Sequence, residues 1–396
     1  MRVLMLAPEP FYEDRGTLIA VDLLIRAMCE RGDEVDLVTF HLGEDRPRPG
    51  LEIHRIRPWP RPARIPPGLS VGKVWCDIFM FFKTIGMLRR KRYDLIHAVE
   101  EAAFMATVLG PVTRTPFVFD MDSSMASQIV ARYPWTRPLG GLLHWLETLP
   151  MRGAVAVVPM CEDLAETARK YCRGTVEVLS DITLLSEDEA PASVENLRKS
   201  LDLRGPIVMY IGNLELYQGI DLLLESHREA LQACPDAELV IIGGADSDLR
   251  KYRQQASSLG ISDSVHLLGP RPVSQLGGYM SQADILVSPR IEGTNTPMKI
   301  YSYMDSGAAV AATRLPTHTQ VLTDDEAALA EPTPEAFSAA LVRLLGDAAE
   351  RERLAANARE LVRRKHSWPA FRGTVHGLMD SLESRSGAKV GSNEPG

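Results

Sequence analysis

The sequence predicts an α/β protein built from two doubly wound domains, and three observations favour it. The chain has 396 residues, which is long for a single domain. Short apolar runs alternate with helical patterns along its length, as in parallel sheets that helices cover on both faces. An acidic stretch that begins at Ser186 and contains Pro191 interrupts this alternation and predicts a linker.

The predicted strands of the first half are rich in β-forming residues and are bounded by polar or turn residues. They are Val3–Ala7, Val35–Thr39, Leu95–Ala98, Phe117–Phe119 and Val155–Val158. A helical pattern over Leu18–Arg31 separates the first two and ends at Gly32, a residue type that favours helix termination.

The second half repeats this alternation of strands and helices. Its predicted strands are Ile207–Ile211, Leu239–Ile242, Val265–Leu268, Ile285–Val287 and Ala309–Ala312. We therefore expect a first domain over 1–182, a linker over 183–205 and a second domain over 206–365. A helix over 366–385 is expected to return to the first domain. Residues 386–396, rich in Gly, Ser and Lys, are expected to be disordered.

Composition excludes several classes of function. The net charge of −8 gives no overall attraction for nucleic acid. The five cysteines include no Cys-x-x-Cys pair and predict reduced thiols instead of disulfides or a zinc site. We find no signal peptide and no apolar run of about 18 residues that could span a bilayer. The sequence thus predicts a cytoplasmic protein, and no cluster of residues has metal-ligand spacing.

The segment 55–92 departs from this pattern and has two interpretations. Arg55–Arg64 is rich in proline and arginine, and the apolar, aromatic helix pattern that starts at Val74 ends in the basic run Arg89–Arg92. Basic residues around such a helix are typical of docking on anionic lipid, which would bring the protein to the inner face of the membrane. The alternative is a buried crossover helix, since a helix that is apolar nearly all round is usually buried.

Two glycine loops follow predicted strands and lead into helices, whose free N–H groups favour anions. The first is Arg15-Gly16-Thr17, which is equally consistent with a bare structural turn. The second runs from Gly212 to Gly219 and leads into a helix predicted over Ile220–Ala233. The chain contains neither a dinucleotide fingerprint nor a P-loop, so no dinucleotide or ATP site is indicated.

A third loop, within Ser288–Gly307, is the most informative. Thr296 and Pro297 have the residue types that favour the N-cap and the first position of a helix. Lys299 would then lie in the first turn, where a cation opposes the helix dipole and is useful if an anion binds. Glu292 precedes the helix, where a carboxylate could hold sugar hydroxyls. The alternative is a capped helix with a solvated Lys299 and Glu292.

Together these motifs resemble those of the family 4 (GT4) retaining glycosyltransferases, whose GT-B fold has two Rossmann-like domains facing an interdomain cleft. The loop from Gly212 to Gly219 is similar to the Gly-x-Leu-x-x-x-Lys-Gly loop of the family's second domain. Glu292-Gly293 is similar to its Glu-Gly loop, and Ala309–Thr313 to the strand that follows the next helix.

The sequence departs from the family at several positions. Asn213 and Gln218 stand where the family usually has an arginine and a lysine that bind the donor diphosphate, and Ser302 stands where it has a ribose-binding glutamate. In the first domain, Asp120 or Asp122 replaces a frequent histidine. These replacements leave open a degenerate, non-catalytic relative that binds a sugar nucleotide or serves as a partner subunit. A different GT-B reaction, such as epimerisation or phosphorolysis, is a further alternative.

The resemblance implies transfer of a sugar from a nucleotide-sugar donor to a hydroxyl acceptor, with retention and without a metal or other cofactor, in cell-surface glycan, glycolipid or glycoside synthesis. It implies a catalytic set of Glu292, which positions the sugar, and Asp120 and Asp122, which orient the acceptor hydroxyl or act as a base. It implies donor-binding positions at Gly212, Asn213, Gln218, Gly219, Arg290, Gly293, Thr294, Asn295, Thr296, Lys299 and Ser302. Arg15, Gly16, Thr17 and His97 form the implied acceptor or phosphate loop, with a structural histidine as the alternative for His97. A lipid-linked acceptor follows if segment 55–92 docks on lipid.

Overall fold

The structure of the protein, a computed structural model, describes residues 1–13, 16–65, 70–185, 193–293 and 295–391. For residues 131, 132 and 386–391 the backbone alone is described. The predicted site residues Arg15 and Thr294 and the acidic stretch 186–192 lie outside the described residues. The chain divides into two compact units, Met1–Ser180 with Phe371–Gly396, and Asp181–Ala370.

The first unit is a parallel sheet with helices on both faces. Among the described residues its strands follow the order β3-β2-β1-β4-β5-β6-β7. They are β1 Arg2–Ala7, β2 Glu34–Thr39, β3 Leu51–Arg55, β4 Leu95–Val99, β5 Phe117–Met121, β6 Ala156–Pro159 and β7 Thr175–Val176. The helices are α1 Gly16–Arg31, α2 Val71–Arg90, α3 Ala102–Thr113, α4 Met125–Arg132, α5 Gly140–Gly153 and α6 Glu162–Tyr171, with a 3₁₀ helix at Pro134–Leu139.

The second unit repeats this architecture in the order β10-β9-β8-β11-β12-β13. Its strands are β8 Ile207–Ile211, β9 Glu238–Ile242, β10 Val265–Gly269, β11 Ile285–Ser288, β12 Ala309–Thr313 and β13 Ala328–Ala330. Its helices are α7 Leu197–Ser200, α8 Ile220–Ala230, α9 Asp246–Ser258, α10 Leu276–Met280, α11 Lys299–Ser306, α12 Pro316–Thr319, α13 Pro334–Gly346 and α14 Ala348–Lys365. A final helix, α15 Trp368–Gly391, begins in this unit and continues in the first.

The direction of strand addition reverses once in each sheet. In the first unit β1 pairs with both β2 and β4, and in the second unit β8 pairs with both β9 and β11. Ligands of doubly wound sheets bind beyond the carboxyl ends of the strands at such a reversal. The fold therefore singles out the ends of β1 and β4 in one unit, and of β8 and β11 in the other.

Three expectations about element boundaries are wrong. The described residues of the predicted linker, 183–185 and 193–205, fall within the second unit, and Leu197 and Leu203 pack into its core. Helix α8 ends at Ala230 instead of Ala233, since the next residues form turns. Helix α15 continues to Gly391, through residues expected to be disordered, since extending a formed helix costs less than nucleating one.

Helix α15 is held against α1 by polar contacts within the first unit. The ring nitrogen Nε2 of His376 lies 2.9 Å from the carbonyl oxygen of Ala27. The Arg31 guanidinium donates to Glu383 at 2.9 Å and to Asp380. None of the helices within the described ranges is long and apolar enough to cross a bilayer.

Candidate functional site

The predicted donor residues of the second unit converge where β8 and β11 end. Gly212 follows β8 directly, and Arg290 follows β11 after one intervening residue. Lys299, the first residue of α11, donates a hydrogen bond from Nζ to Oε1 of Gln218 at 3.2 Å. The structure thus brings together residues that are far apart in sequence, at the edge where the fold predicts a ligand.

Two glycines allow this close approach. Gly212 has φ +153°, and a Cβ there would lie 3.2 Å from Nζ of Lys299. Gly219 has φ +73°, in the left-handed region, and a Cβ there would overlap the carbonyl oxygen of Pro289. A larger residue at Gly219 would displace the Pro289 backbone next to Arg290, and one at Gly212 would press on the end of the Lys299 side chain.

Lys299 is a partly buried cation whose contacts leave its charge uncancelled. Its ammonium lies 3.9 Å from the centre of the Tyr210 ring and bonds the neutral amide of Gln218. No acidic side chain among the described residues forms an ion pair with it. Burial and repulsion from Arg290 hold the pKa of Lys299 well below its usual value. A bound anion would stabilise the charged lysine and offset both effects.

Arg290 is the second cation of this site. Its Nη1 donates to the carbonyl oxygen of Asn295 at 2.7 Å and to Oγ1 of Thr317 at 2.8 Å. Its Nε is buried and has no hydrogen-bond partner among the described residues. Burial lowers the pKa of Arg290. Nε is therefore a donor that the protein leaves unused.

Thr296 does not cap α11, contrary to the sequence prediction. The helix begins at Lys299 with Met298 at the N-cap and no side-chain cap, because a turn joining the Pro297 carbonyl to the Ile300 amide precedes it. Thr296 is 2% exposed, and its hydroxyl has no partner among the described residues. A second polar group in this loop is thus unsatisfied.

The remaining predicted donor residues have varied surroundings. Glu292 and Gly293 are exposed, and Gly293 has φ +120°. Asn213 is exposed, and its Oδ1 accepts a bond from the Glu215 amide at 3.4 Å. Ser302 is 3% exposed, and its hydroxyl accepts a bond from the Leu184 amide at 3.1 Å, which gives it a structural contact.

The Arg290 segment has a support that its sequence did not predict. His318 lies at α12, with Nε2 2.9 Å from the Ser288 hydroxyl and Nδ1 2.8 Å from the Thr313 carbonyl. Burial lowers the pKa of His318 to about 4, so it is neutral at physiological pH. The Thr313 hydroxyl donates to the Arg290 carbonyl at 2.6 Å, which fixes the backbone of the Arg290 segment.

In the first unit, His97 and Asp120 lie side by side on the neighbouring strands β4 and β5. Nε2 of His97, on β4, is 3.0 Å from Oδ2 of Asp120, on β5, and both side chains are buried. Asp120 lies inside β5, because this strand extends to Met121, and Asp122 follows the strand. Gly16 is the first residue of α1 and Thr17 the second.

A group of carboxyls from α2 and from the segments after β1 and β4 was not predicted. We call it the carboxyl cluster: Glu9, Asp77, Glu100 and Glu101, with Lys73 between them. Lys73 Nζ lies 2.7 Å from one oxygen of Glu9 and 2.7 Å from one of Glu101. Burial and the neighbouring Glu101 raise the pKa values of Asp77 and Glu100 well above the ordinary carboxyl range. The paired Glu100-Glu101 after an apolar strand was the available signal.

Three potential metal ligands meet on β2 and β3, although the sequence showed no metal-ligand spacing. Oxygens of Asp36 and Glu52 and a ring nitrogen of His54 lie within 4.8 Å of one another. Lys91 and Tyr93 already donate to the Asp36 carboxylate, at 2.8 and 2.6 Å. The spacing was missed because Asp36 and Glu52 face each other across paired strands.

Comparisons with known proteins match both units. The family model described as glycosyl transferases group 1 matches residues 205–347, and that of the glycosyl transferase 4-like domain matches residues 15–178. Phosphatidyl-myo-inositol mannosyltransferase of Mycobacterium leprae is 25% identical over 98% of this chain and 99% of its own. Alpha-D-kanosaminyltransferase of Streptomyces kanamyceticus is 26% identical over 74% of this chain and 78% of its own.

Solved structures with the same fold include sucrose-phosphate synthase from Thermosynechococcus elongatus. It has a TM-score of 0.77 and 21% identity, and the match covers 97% of this chain and 99% of that one. HepE of Anabaena, solved with UDP, has a TM-score of 0.75 and 16% identity over 96% of this chain and all of its own. With two matched family models that together span most of the sequence and a shared two-unit fold, the chain belongs to the family 4 glycosyltransferases of GT-B fold.

Proposed function

We propose that this glycosyltransferase uses a nucleoside diphosphate sugar as donor and transfers the glycosyl group to a hydroxyl acceptor with retention, without a metal ion. One observation carries the proposal: Arg290 and Lys299 are partly buried and repel each other, with depressed pKa values and no acidic partner among the described residues. A diphosphate brings roughly two negative charges that need cations and N–H donors. The unused Arg290 Nε and Thr296 hydroxyl suit such an anion.

In the proposed reaction the bond between the anomeric carbon and the diphosphate oxygen breaks, a bond to the acceptor oxygen forms on the same face, and the acceptor's hydroxyl proton passes to a base, Asp120 or the leaving diphosphate. Arg290 and Lys299 would stabilise the negative charge that develops on the leaving diphosphate, in place of a metal ion. Glu292 would hold hydroxyls of the donor sugar. Asp120, held by His97, would orient the acceptor hydroxyl.

The nature of the two substrates is supported by relatives. HepE has been solved with UDP-glucose, which favours a nucleotide-sugar donor for a protein of this fold. The relative from Mycobacterium leprae is named for phosphatidyl-myo-inositol, which favours a lipid-linked hydroxyl acceptor. We place the reaction in the cytoplasm, and all five cysteines are free thiols, as a reducing compartment allows.

The test is a thermal-shift screen with UDP, GDP and their glucose and mannose derivatives, followed by mass spectrometry of released nucleotide. We expect one nucleotide to raise the melting temperature of the native protein, and the matching donor to be consumed. Lys299→Met and Arg290→Gln should each remove the shift. Arg228→Gln, which alters an exposed arginine of α8, should keep it. A shift retained in the first two variants would contradict the assignment.

A second candidate, a sugar-nucleotide-binding subunit without catalysis, is favoured by the contacts of Ser302. Its hydroxyl is buried and occupied by the Leu184 amide, so it does not replace the glutamate expected to bind the ribose. The two candidates differ in one outcome. Nucleotide binding without consumption of any donor, in the presence of lipid and sugar acceptors, would favour the subunit.

Glu292→Ala tests the catalytic residue directly. Glu292 is exposed, so its removal should leave the fold and nucleotide binding intact and lower turnover at least about 100-fold, because sugar positioning is lost. Glu360→Ala, on the exposed face of α14, is the matched control. Unchanged turnover in Glu292→Ala would exclude this role.

A further inference from the structure

Large apolar side chains are exposed mainly on one side of the first unit. Ten of them lie on α2, α3, the 3₁₀ helix Pro134–Leu139 and α5, and we call them the outer apolar surface: Val71, Val74, Ile78, Phe82, Val108, Val112, Trp135, Leu139, Leu142 and Trp145. Within the described part of the second unit, only Leu184 and Leu216 are comparable. So concentrated an apolar surface is typical of an interaction site.

The three helices form one layer. Cys76 of α2, Ala103 of α3 and Met151 of α5 pack into the same core cluster, against one face of the sheet. Helix α3 contacts both α2 and α5. Because their inner sides share one core, their outer sides share one surface of the unit.

Helix α2 carries the clearest part of this surface. Val74, Ile78 and Phe82 follow one another at intervals of four residues and are 45%, 44% and 65% exposed, so they form a stripe along the helix. The buried stripe, which includes Cys76 and Met80, lies elsewhere on the helix. The interpretation of α2 as a buried crossover helix therefore holds for one side of the helix, and the other side is exposed.

The charges around the surface are one-sided. Across α2, α3, the 3₁₀ helix and α5 the only acidic residues are Asp77 and Glu147, and neither is exposed. Glu147 is 5% exposed and accepts a bond from Ser124, and Asp77 belongs to the carboxyl cluster. The exposed basic residues of the same elements are Lys83, Arg89, Arg90, Arg137 and Arg152. Arg114, which directly follows α3, is exposed too. The chain as a whole has a net charge of −8, so these four elements are cationic against the average of the chain.

Two tryptophans complete the pattern. Trp135 is 75% exposed and Trp145 51% exposed, and Arg137 and His144 beside them in sequence are exposed too. Tryptophan favours the boundary between lipid headgroups and acyl chains, and arginine there attracts anionic headgroups. A second copy of the chain would bring the same cations to the contact, which would oppose a symmetric dimer.

We propose that the outer apolar surface docks on the interface of an anionic lipid bilayer, with Trp135, Trp145 and Phe82 entering the headgroup region. The sequence singled out the segment 55–92 for lipid docking. The outer apolar surface adds to this segment the 3₁₀ helix, α5 and the exposed side of α3. It lies wholly in the first unit and does not depend on the proposed donor site.

The experiment is co-sedimentation of the full chain with vesicles of phosphatidylglycerol and phosphatidylcholine in equal parts, at low and high salt. We expect the native protein to pellet at low salt, with a blue shift of tryptophan emission, and to remain in solution with phosphatidylcholine alone. The double variant Trp135→Ser/Trp145→Ser and the single variant Phe82→Ser should each weaken binding about tenfold. Arg137→Glu should weaken it at low salt.

Matched controls lie in the second unit. Leu184→Ser and Arg228→Glu alter an exposed leucine and an exposed arginine there and should pellet like the native protein. Circular dichroism and nucleotide thermal shifts check that each variant is folded. Equal binding of neutral vesicles, or full binding by the Trp135 and Phe82 variants, would overturn the proposal. So would a native dimer in analytical ultracentrifugation that the same variants dissociate.

Discussion

The side-chain oxygen of Gln218 accepts a hydrogen bond from the Lys299 ammonium at 3.2 Å. Gln218 is neutral, so it orients this cation without cancelling its charge. The resemblance implied a donor-binding position at Gln218, where the family usually has a lysine. In the structure it positions the cation at the start of α11, and the positive charge of the site depends on Lys299 and Arg290.

Replacing Lys299 should therefore remove nucleotide binding and make the free protein more stable. In Lys299→Met we expect the free protein to be more stable by about 1 kcal/mol at neutral pH, because a buried cation beside Arg290 is removed. The same change should abolish the thermal shift produced by the donor nucleotide. Urea denaturation with and without nucleotide measures both effects. A less stable free protein would show that the Gln218 bond outweighs the repulsion from Arg290.

The pH dependence of nucleotide binding follows from the lowered pKa of Lys299. A bound diphosphate would favour the charged lysine and raise its pKa again, so binding should take up a proton when the pH lies above the pKa of the free protein. Affinity should consequently fall as pH rises through that range. Isothermal titration calorimetry in buffers of different ionisation enthalpy detects the proton. Lys299→Met should lose the proton uptake along with binding.

Gly219→Ala tests the packing of the glycine loop. Gly219 has φ +73°, and a Cβ would overlap the Pro289 carbonyl, so we expect a loss of about 3 kcal/mol in the free energy of unfolding. Gly260→Ala is a matched control, because Gly260 has φ +71° and nothing lies within 4 Å of the added Cβ. It should cost only about 1 kcal/mol, for the backbone conformation alone. Equal losses in the two variants would show that the loop can move away from Pro289.

The carboxyl cluster should make the first unit less stable as pH rises. Because the folded pKa values of Asp77 and Glu100 lie above the ordinary carboxyl values, the folded state holds protons that the unfolded state releases. Stability is therefore full below the ordinary carboxyl pKa and declines as pH rises towards the folded values. Glu100→Gln should reduce this decline by about 1 kcal/mol above neutral pH, measured by urea denaturation across pH. Glu166→Gln, exposed on α6, should leave the decline unchanged.

Asp120→Asn separates the roles of the two units. His97 and Asp120 lie in the first unit, whereas Lys299 and Arg290 lie in the second. We expect this variant to keep the nucleotide thermal shift and to lose turnover about 100-fold, because a carboxylate is needed to orient or deprotonate the acceptor hydroxyl. Loss of nucleotide binding would show that Asp120 affects the fold or the donor site.

All ten predicted strands are present, since runs such as Ile207–Ile211 are apolar throughout and buried on both faces. Three of the described strands were missed, and the apolar, buried Ala328–Ala330 has only three residues, too few to show a period. Leu51–Arg55 is an edge strand with a polar, half-exposed composition, and Thr175–Val176 is too short to show a period. The regular alternation of buried apolar strands with helical patterns was enough to predict the parallel architecture.

The site was predictable only in part. Loop positions and residue types placed Gly212, Arg290 and Lys299 together, because the ends of neighbouring parallel strands meet at one edge. The sequence could not show that Gln218 bonds Lys299, since that contact joins residues 81 apart in the chain. The carboxyl cluster was likewise hidden, because its members come from three different elements.

Residues 371–385 belong to the unit that residues 1–180 form, so the polypeptide leaves this unit and later re-enters it. In topological terms the other unit is an insertion, and only 181–370 can be excised as one contiguous piece. Truncation before Asp380 would remove both carboxylates of α15 that bond Arg31, and the damage would fall on α1, remote in sequence from the loops that hold Arg290 and Lys299.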